Sequence, residues 1–403
     1  MGAQLREPQT GADGSSSSLE GQRASVTEAI RRRWAADLTH ARTWGGTLSG
    51  RVRRWAAVDR TAWITRLTSP LALLALVILV LAGVGSYALF GGFSAAPATT
   101  GTHTMNGGSS AQTVSYPEAT VNTGLQPAKY VLDSDGAKHF TLTAKEVMWE
   151  VIKGKRVHAM TLDGMVPGPM IRFTAGDHVR ITIVNQMSQA TALHLHGLQL
   201  PTTADGVPPL GQKPIEPGQS FTYDFVSQDS DAGTHWYHSH YNDLQQVGAG
   251  LYGGLTVDPR PGTVEAQQDF KTDVDQTLFV GMLGGYYVIN GHSFPDTQVI
   301  HVKQGQHVRL RLVGADTALI HPLHLHGHTF QVIASGGHMN PSPVWKDTLD
   351  VSPGDTYDVT FDAWAPPGSA YPLHCHILGH LMNPGQASMT EMGGMIALVQ
   401  YDK

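Results

Sequence analysis

The chain has one cysteine in 403 residues. That excludes an intrachain disulfide and any zinc site built from several thiolates. Charge is also scarce: 15% of residues are Asp, Glu, Lys or Arg, against about 25% in an ordinary soluble domain. The formal net charge is −6, so no nucleic-acid partner held by phosphate attraction is expected. Charge is missing altogether from Ser69 to Gly92. What the chain does have is turn formers, 45 glycines and 23 prolines, together with 21 histidines and 13 methionines. Frequent turns favour many short strands over a helical bundle. The histidine excess beside a lone cysteine is the feature to explain.

The uncharged stretch centres on LALLALVILVLAGVGSYALF, Leu71–Phe90. Twenty such residues in a helix span about 30 Å, enough for a bilayer core. The reading is one transmembrane helix over 69–91, with cleavage near Ser94-Ala95-Ala96 as the alternative. Residues 1–66 carry eleven arginines and six acids, and the positive-inside rule keeps that basic tail in the cytoplasm. The remainder holds sixteen basic and twenty-seven acidic residues, and is expected outside the cell membrane. Residues 92–127, rich in Ser, Gly, Ala and Thr, read as a flexible linker.

Beyond the linker the sequence repeats itself. GDHVRITIVN at 176–185 matches GQHVRLRLVG at 305–314, and HLHGLQL at 194–200 matches HLHGHTF at 324–330. PGQSFTYDF at 217–225 matches PGDTYDVTF at 353–361, and YHSH at 237–240 matches LHCH at 373–376. The offsets are 129, 130, 136 and 136. Four ordered matches at a near-constant spacing indicate two copies of one fold. Apolar residues at every second position of 178–183 and 307–312 mark half-buried strands. The expectation is two all-β sandwiches of about 130 residues.

Four His-x-His pairs fall at equivalent places in the two copies: His194/His196, His238/His240, His324/His326 and His374/His376. In a strand, residues i and i+2 share a face, so each pair presents two imidazoles together. Neutral imidazole suits copper, zinc, nickel and iron. Eight imidazoles exceed what one ion can use, which implies a polynuclear site. Cys375 lies between His374 and His376, so its sulfur faces the other side of the strand. There His321 and His380 can join it. Two histidines, a thiolate and a weak axial sulfur define a blue-copper electron-transfer centre.

These motifs, HLHG at 194–197, HSH at 238–240, HPLHLHG at 321–327 and HCHILGH at 374–380, resemble the multicopper oxidases. VPGPMIRFTAGD at 166–177 and VINGHSFP at 288–295 are similar to core segments of that family. The resemblance implies cupredoxin-like Greek-key sandwiches over 128–260 and 275–403. It implies four coppers per subunit. His321, Cys375 and His380 resemble the type 1 ligands, and His194 and His324 the type 2 ligands. His196, His238, His240, His326, His374 and His376 resemble the ligands of the type 3 pair. A small reducing substrate, phenolic or Cu(I), would be oxidised at type 1 copper, and O2 reduced to water at the cluster. Two-domain members of the family imply a homotrimer with clusters between subunits. Asp205 resembles the family's proton-relay acid, with Asp347 a weaker candidate. His235 and His328 read as packing residues.

The sequence departs from the family where an axial ligand is usual, five residues after the last histidine, because Gly385 stands there. Aligning Met392-Gly393-Gly394-Met395-Ile396 with Leu251–Leu255 of the first repeat makes Met392 the axial candidate, before Met395 and Met389. Ser239 occupies the cysteine position of the first repeat, so only the second is expected to hold type 1 copper. The alternatives are a two-domain copper nitrite reductase and a copper carrier without catalysis.

Overall fold

The computed structural model describes residues 115–388 and 391–403. The basic tail, the uncharged stretch read as a membrane helix, the start of the linker and Met389 lie outside them. No helix among the described residues is long and apolar enough to cross a membrane.

The first sandwich contains β1 (Tyr130–Leu132), β2 (Lys138–Ile152), β3 (Lys155–Leu162), β4 (Gly168–Thr174), β5 (His178–Asn185) and β6 (Leu193–His196). It continues through α1 (Thr202–Asp205), β7 (Ser220–Val226), β8 (Gly233–Ser239), α2 (Asp243–Gln246) and β9 (Tyr252–Asp258). One sheet runs β1-β2-β5-β7 with β3 on β2, and the other runs β4-β9-β8-β6. After α3 (Val264–Gln268) the second sandwich follows with β10 (Val274–Leu283), β11 (Tyr286–Ile289), β12 (Ile300–Val302), β13 (His307–Gly314) and β14 (His321–Leu325). Then come β15 (Phe330–Ser335), β16 (His338–Lys346), β17 (Thr348–Val351), β18 (Thr356–Asp362), β19 (Ala370–Cys375) and β20 (Ile396–Tyr401). Its sheets run β11-β10-β13-β18-β15-β16 and β12-β20-β19-β14-β17.

The duplication is visible strand by strand. β2 pairs β5 in parallel as β10 pairs β13, and β4 pairs β9 in parallel as β12 pairs β20. The copies differ between the second and third matched motifs. There the second sandwich inserts β15, β16 and β17 where the first has α1, which accounts for the rise in offset from 130 to 136.

The linker reading fails for its last stretch, residues 117–127. From Pro117 onward the backbone is tied to the first sandwich, Met148 N–H to Pro117 O at 2.8 Å and Leu125 N–H to Pro167 O at 3.0 Å. A flexible tether would leave these groups to water.

Each sandwich has its own apolar core, and a third cluster lies between them, with Trp149, Trp236, Tyr252 and Phe279 among its members. β5 alternates half-buried and buried residues as its pattern predicts, but β13 is buried on both faces. The reason is that the first sandwich covers the outer face of β13. Arg311 Nη1 donates to Thr234 of β8 at 2.6 Å and Thr234 Oγ1 donates to Asp358 at 2.6 Å. Arg311 also makes a bidentate pair with Asp275, both bonds 2.7 Å. Buried charge is tolerated here because each group is paired and hydrogen-bonded.

Candidate metal centre

Strand pairing places the histidines. On β6 the apolar Leu193 and Leu195 enter the core, which turns His194 and His196 outward. His194 lies directly across from His238 on β8. The rings of His194, His196, His238 and His240 are 5.3 to 6.2 Å apart, and the first three bring ligand nitrogens within 4.8 Å of one another. The second sandwich repeats the geometry, with His324 of β14 across from His374 of β19. Rings of His324, His326, His374 and His376 are 4.9 to 5.7 Å apart.

The eight imidazoles do not converge within one chain. Among the described residues, no ring contact or hydrogen bond joins a histidine of one quartet to one of the other. Each sandwich presents its own quartet. The quartet of the second sandwich is the more open, with His326 and His376 exposed. Beside it a cavity of about 500 Å³ is lined by His324, Trp345, Asp347, Asp362 and Trp364.

The chain fixes how these rings point. His194 Nδ1 is 2.6 Å from the Asp205 carbonyl oxygen, and His324 Nδ1 is 2.8 Å from that of Asp347. His238 and His374 place Nδ1 2.8 Å from the carbonyls of Ser239 and Cys375. A carbonyl can only accept, so Nδ1 carries the proton and Nε2 offers its lone pair inward, the orientation that metal-binding histidines need. Burial, then the neighbouring imidazoles, pushes His196 down to about 4. Burial also takes His238 down to about 3. Both rings are therefore neutral at pH 7, the form that binds metal.

The loop after α1 holds Asp205 in place through Gly206. Its φ of 87° is open to glycine. A Cβ there would lie 1.8 Å from the Leu193 carbonyl oxygen, so only glycine lets this turn close onto β6. The Asp205 carboxylate is then 3.6 Å from His194 Nδ1. The Asp347 backbone reaches His324 in the same way. His235 and His328 make local contacts. His235 Nε2 is 2.8 Å from Asp231 O, and His328 bridges His326 O at 2.8 Å and the Tyr401 hydroxyl at 2.7 Å.

On the other face of β19, Cys375 Sγ lies 3.3 Å from His380 Nδ1 and 3.9 Å from His321 Nδ1. The two Nδ1 atoms are 3.2 Å apart, and all three residues are buried. Sequence reasoning missed Asp316, whose carboxylate accepts from His321 Nε2 at 3.1 Å. Its other oxygen accepts from the amides of Ala318 and Leu319, each at 2.9 Å. Burial raises the Asp316 carboxyl, but His321 and these amides outweigh it and hold it below the usual carboxylate range. The proton on Nε2 leaves the His321 Nδ1 lone pair facing the sulfur. Burial pushes the Cys375 thiol up to about 11, so an ion must displace its proton. Two inward imidazoles and one thiol in a dry pocket fit a blue-copper ion. Tyr287, also missed, stacks on His380 at 3.9 Å between ring centroids.

The strand register corrects the axial candidate. His374 pairs with Ile396 as His238 pairs with Tyr252. Cys375 N–H donates to Met395 O as Ser239 N–H donates to Leu251 O. Met395 is therefore the counterpart of Leu251, and the alignment that favoured Met392 is three residues out of step. Met395 is 0% exposed and shares the core cluster of Cys375, whereas Met392 is 56% exposed. Met395 replaces Met392 as the axial candidate.

In the first sandwich the place equivalent to Cys375 and His321 is filled by Ser239 and Thr191. Both donate to Gln246 Oε1, at 2.6 and 2.8 Å. Gln246 Nε2 in turn donates to Ala190 O at 2.8 Å. All three side chains are buried and satisfied.

Comparison with known proteins agrees with this geometry. Two multicopper oxidase family models match residues 143–262 and 259–392. Among solved structures, the chain is similar to a blue copper oxidase from Nitrosomonas europaea, with 31% identity and a TM-score of 0.59, covering 65% of this chain and 85% of that one. It is also similar to the multicopper oxidase mgLAC, with 34% identity and a TM-score of 0.59, covering 66% and 86%. A curated relative, copper resistance protein A of Pseudomonas syringae pathovar tomato, is 28% identical over 273 residues, 53% of this chain and 44% of that protein. Laccase-2 of Cryptococcus neoformans is 27% identical over 334 residues, 71% of this chain and 54% of that protein. The chain spans about half the length of these curated relatives. The paired sandwiches, the ordered histidine motifs and these matches together show that the chain belongs to the multicopper oxidase family.

Proposed function

We propose that the protein is an oxidase that takes single electrons from a small reducing substrate and delivers four of them to O2, forming water. His321, Cys375, His380 and Met395 would hold type 1 copper, and His194 and His324 type 2 copper. His196, His238, His240, His326, His374 and His376 would hold the type 3 pair, giving four ions per subunit. Copper in these sets supplies the one-electron chemistry that the side chains lack.

The observation that carries this reading is the alternation at 374–376. Cys375 turns into the buried pocket with His321 and His380, while His374 and His376 turn to the quartet of His324 and His326. One strand thus joins two ligand sets through adjacent covalent bonds. Asp205, half exposed beside His194, is read as the acid that feeds protons toward the cluster. Because each chain carries two separate quartets, the cluster is read as forming between copies, and the resemblance to two-domain members implies a homotrimer. The uncharged stretch 69–91 is read as an anchor that leaves the N-terminus in the cytoplasm and the sandwiches outside. With a copper resistance protein and a laccase among the relatives, Cu(I) and a phenol are both kept as candidate substrates.

Copper content and O2 uptake of the purified protein test the proposal, with a phenol and Cu(I) as separate donors. Four coppers per chain with O2 uptake are expected. Two coppers with nitrite turnover would instead favour a nitrite reductase, for which two quartets are surplus. Bound copper with turnover of neither would leave a carrier.

A further inference from the structure

The insertion that distinguishes the second sandwich supplies none of the candidate ligands, yet it carries an unusual surface. β16 is the edge strand of its sheet and pairs only with β15. Its nine residues are exposed or half-buried throughout. Val344 and Trp345 on it are 54% and 61% exposed, and Trp364 nearby is 55% exposed. Large apolar groups are usually kept off an open sheet edge, which invites other chains to pair with it. Pro341 and Pro343 within β16 remove two backbone donors, so a further strand cannot add here. What remains is recognition by side chains.

Both tryptophans line the cavity that His324 also lines. Trp364 is already fixed, since its Nε1 donates to Gly327 O at 3.1 Å and its ring packs against His328 and Tyr371. An exposed indole held in one orientation loses little conformational freedom on binding, and such residues form the energetic centres of interfaces.

We infer that Trp345 and Trp364 anchor a second copy of this chain, seated so that its first-sandwich quartet meets the quartet of His324, His326, His374 and His376. The inference rests on the shared-cluster reading. The occupant follows from the surface itself. The half-site beside these indoles is short of four imidazoles, and the first sandwich of another copy offers four in matching geometry. His326 and His376 are exposed at the rim and would be covered by the same contact. The type 1 pocket lies within a single sandwich, so its formation does not depend on this contact.

Sedimentation equilibrium of the full-length protein in density-matched detergent tests the inference. The variants are Trp345→Ser and the double Trp345→Ser/Trp364→Ser, with Leu132→Ser on β1 of the first sandwich as a surface control. Each tryptophan change should weaken assembly by roughly 30-fold or more. The blue absorption of the type 1 pocket should persist as proof of folding, and the control should assemble like the wild type. If the wild type assembles and both tryptophan variants assemble equally well, the anchor is wrong while the shared cluster stands. A wild type that is monomeric with four coppers overturns the shared cluster and the anchor with it.

Discussion

The ion network between the sandwiches makes an asymmetric prediction. Arg311 holds Asp358, Thr234 and Asp275, and Asp358 is 3% exposed. Arg311→Met would leave the Asp358 carboxylate in the interior with only Arg309, at 3.7 Å, as a cationic partner. An uncompensated buried charge costs about 3–5 kcal/mol. Asp275 is about one-third exposed and can return to water, so it adds little. Asp358→Asn should behave differently. Burial raises the Asp358 carboxyl above its usual value, outweighing Arg311, Thr234 and Arg309. A carboxyl raised in the folded state contributes stability below its unfolded pKa of about 4 and loses that contribution as pH rises through the folded value. Burial thus disfavours the ionised form of Asp358 in the folded chain, and the neutral amide should cost no more than about 1 kcal/mol. Between pH 4 and the folded value, wild-type stability should fall relative to Asp358→Asn. The Arg311→Met/Asp358→Asn double variant should be more stable than Arg311→Met alone. Guanidinium unfolding, followed by the fluorescence of Trp149 and Trp236 in the interdomain core, provides the assay. If Asp358→Asn proves as costly as Arg311→Met, the pair is a net stabiliser and the reasoning fails.

Cys375→Ser should abolish blue absorption and oxidase activity while the quartets still take up copper; activity that survives would mean that electrons enter elsewhere. Met395→Leu should shift the blue band and the reduction potential, whereas Met392→Leu should change neither; the reverse result would restore Met392. Asp205→Asn should slow O2 reduction more than substrate oxidation in single-turnover measurements, and equal slowing of both would indicate a structural role. Around Arg180, a hydrogen bond from its guanidinium lowers Asp135 to about 2. That stabilisation is present above the unfolded pKa of about 4 and lost as pH falls toward 2. Arg180→Gln should flatten the acid limb of a melting-temperature profile, and an unchanged limb would show that Asp135 does not report on this cluster.

Much of the site was legible because strand alternation and metal-ligand chemistry constrain each other. A His-x-His pair on a strand must share a face, and the residue between must not, so Cys375 and its neighbours could be assigned from spacing. Leucine alternating with histidine on β6 announced its own orientation. The axial candidate moved from Met392 to Met395 because a loop separates His380 from β20, and only the pairing of His374 with Ile396 sets the register. Asp316 left the faint signal of a short acid five residues before His321. Its importance depends on two backbone amides that spacing does not reveal. The buried outer face of β13 was also hidden, since its pattern matches β5 and only the neighbouring sandwich distinguishes them. Separation of the quartets is a tertiary fact that eight ordered histidines cannot convey.

The trio of Thr191, Ser239 and Gln246 shows what divides two descendants of one duplication. In the first sandwich every donor and acceptor at that place is used, and the centre is closed without help from outside. In the second, the corresponding side chains end with two lone pairs and a thiol pointing at one another. One copy has spent its bonding capacity on itself and serves as a wall. The other has kept some in reserve, and on the proposed function that unsatisfied remainder would make it responsive to an ion and, through the ion, to electrons. Function in this chain thus begins where internal hydrogen bonding was left incomplete.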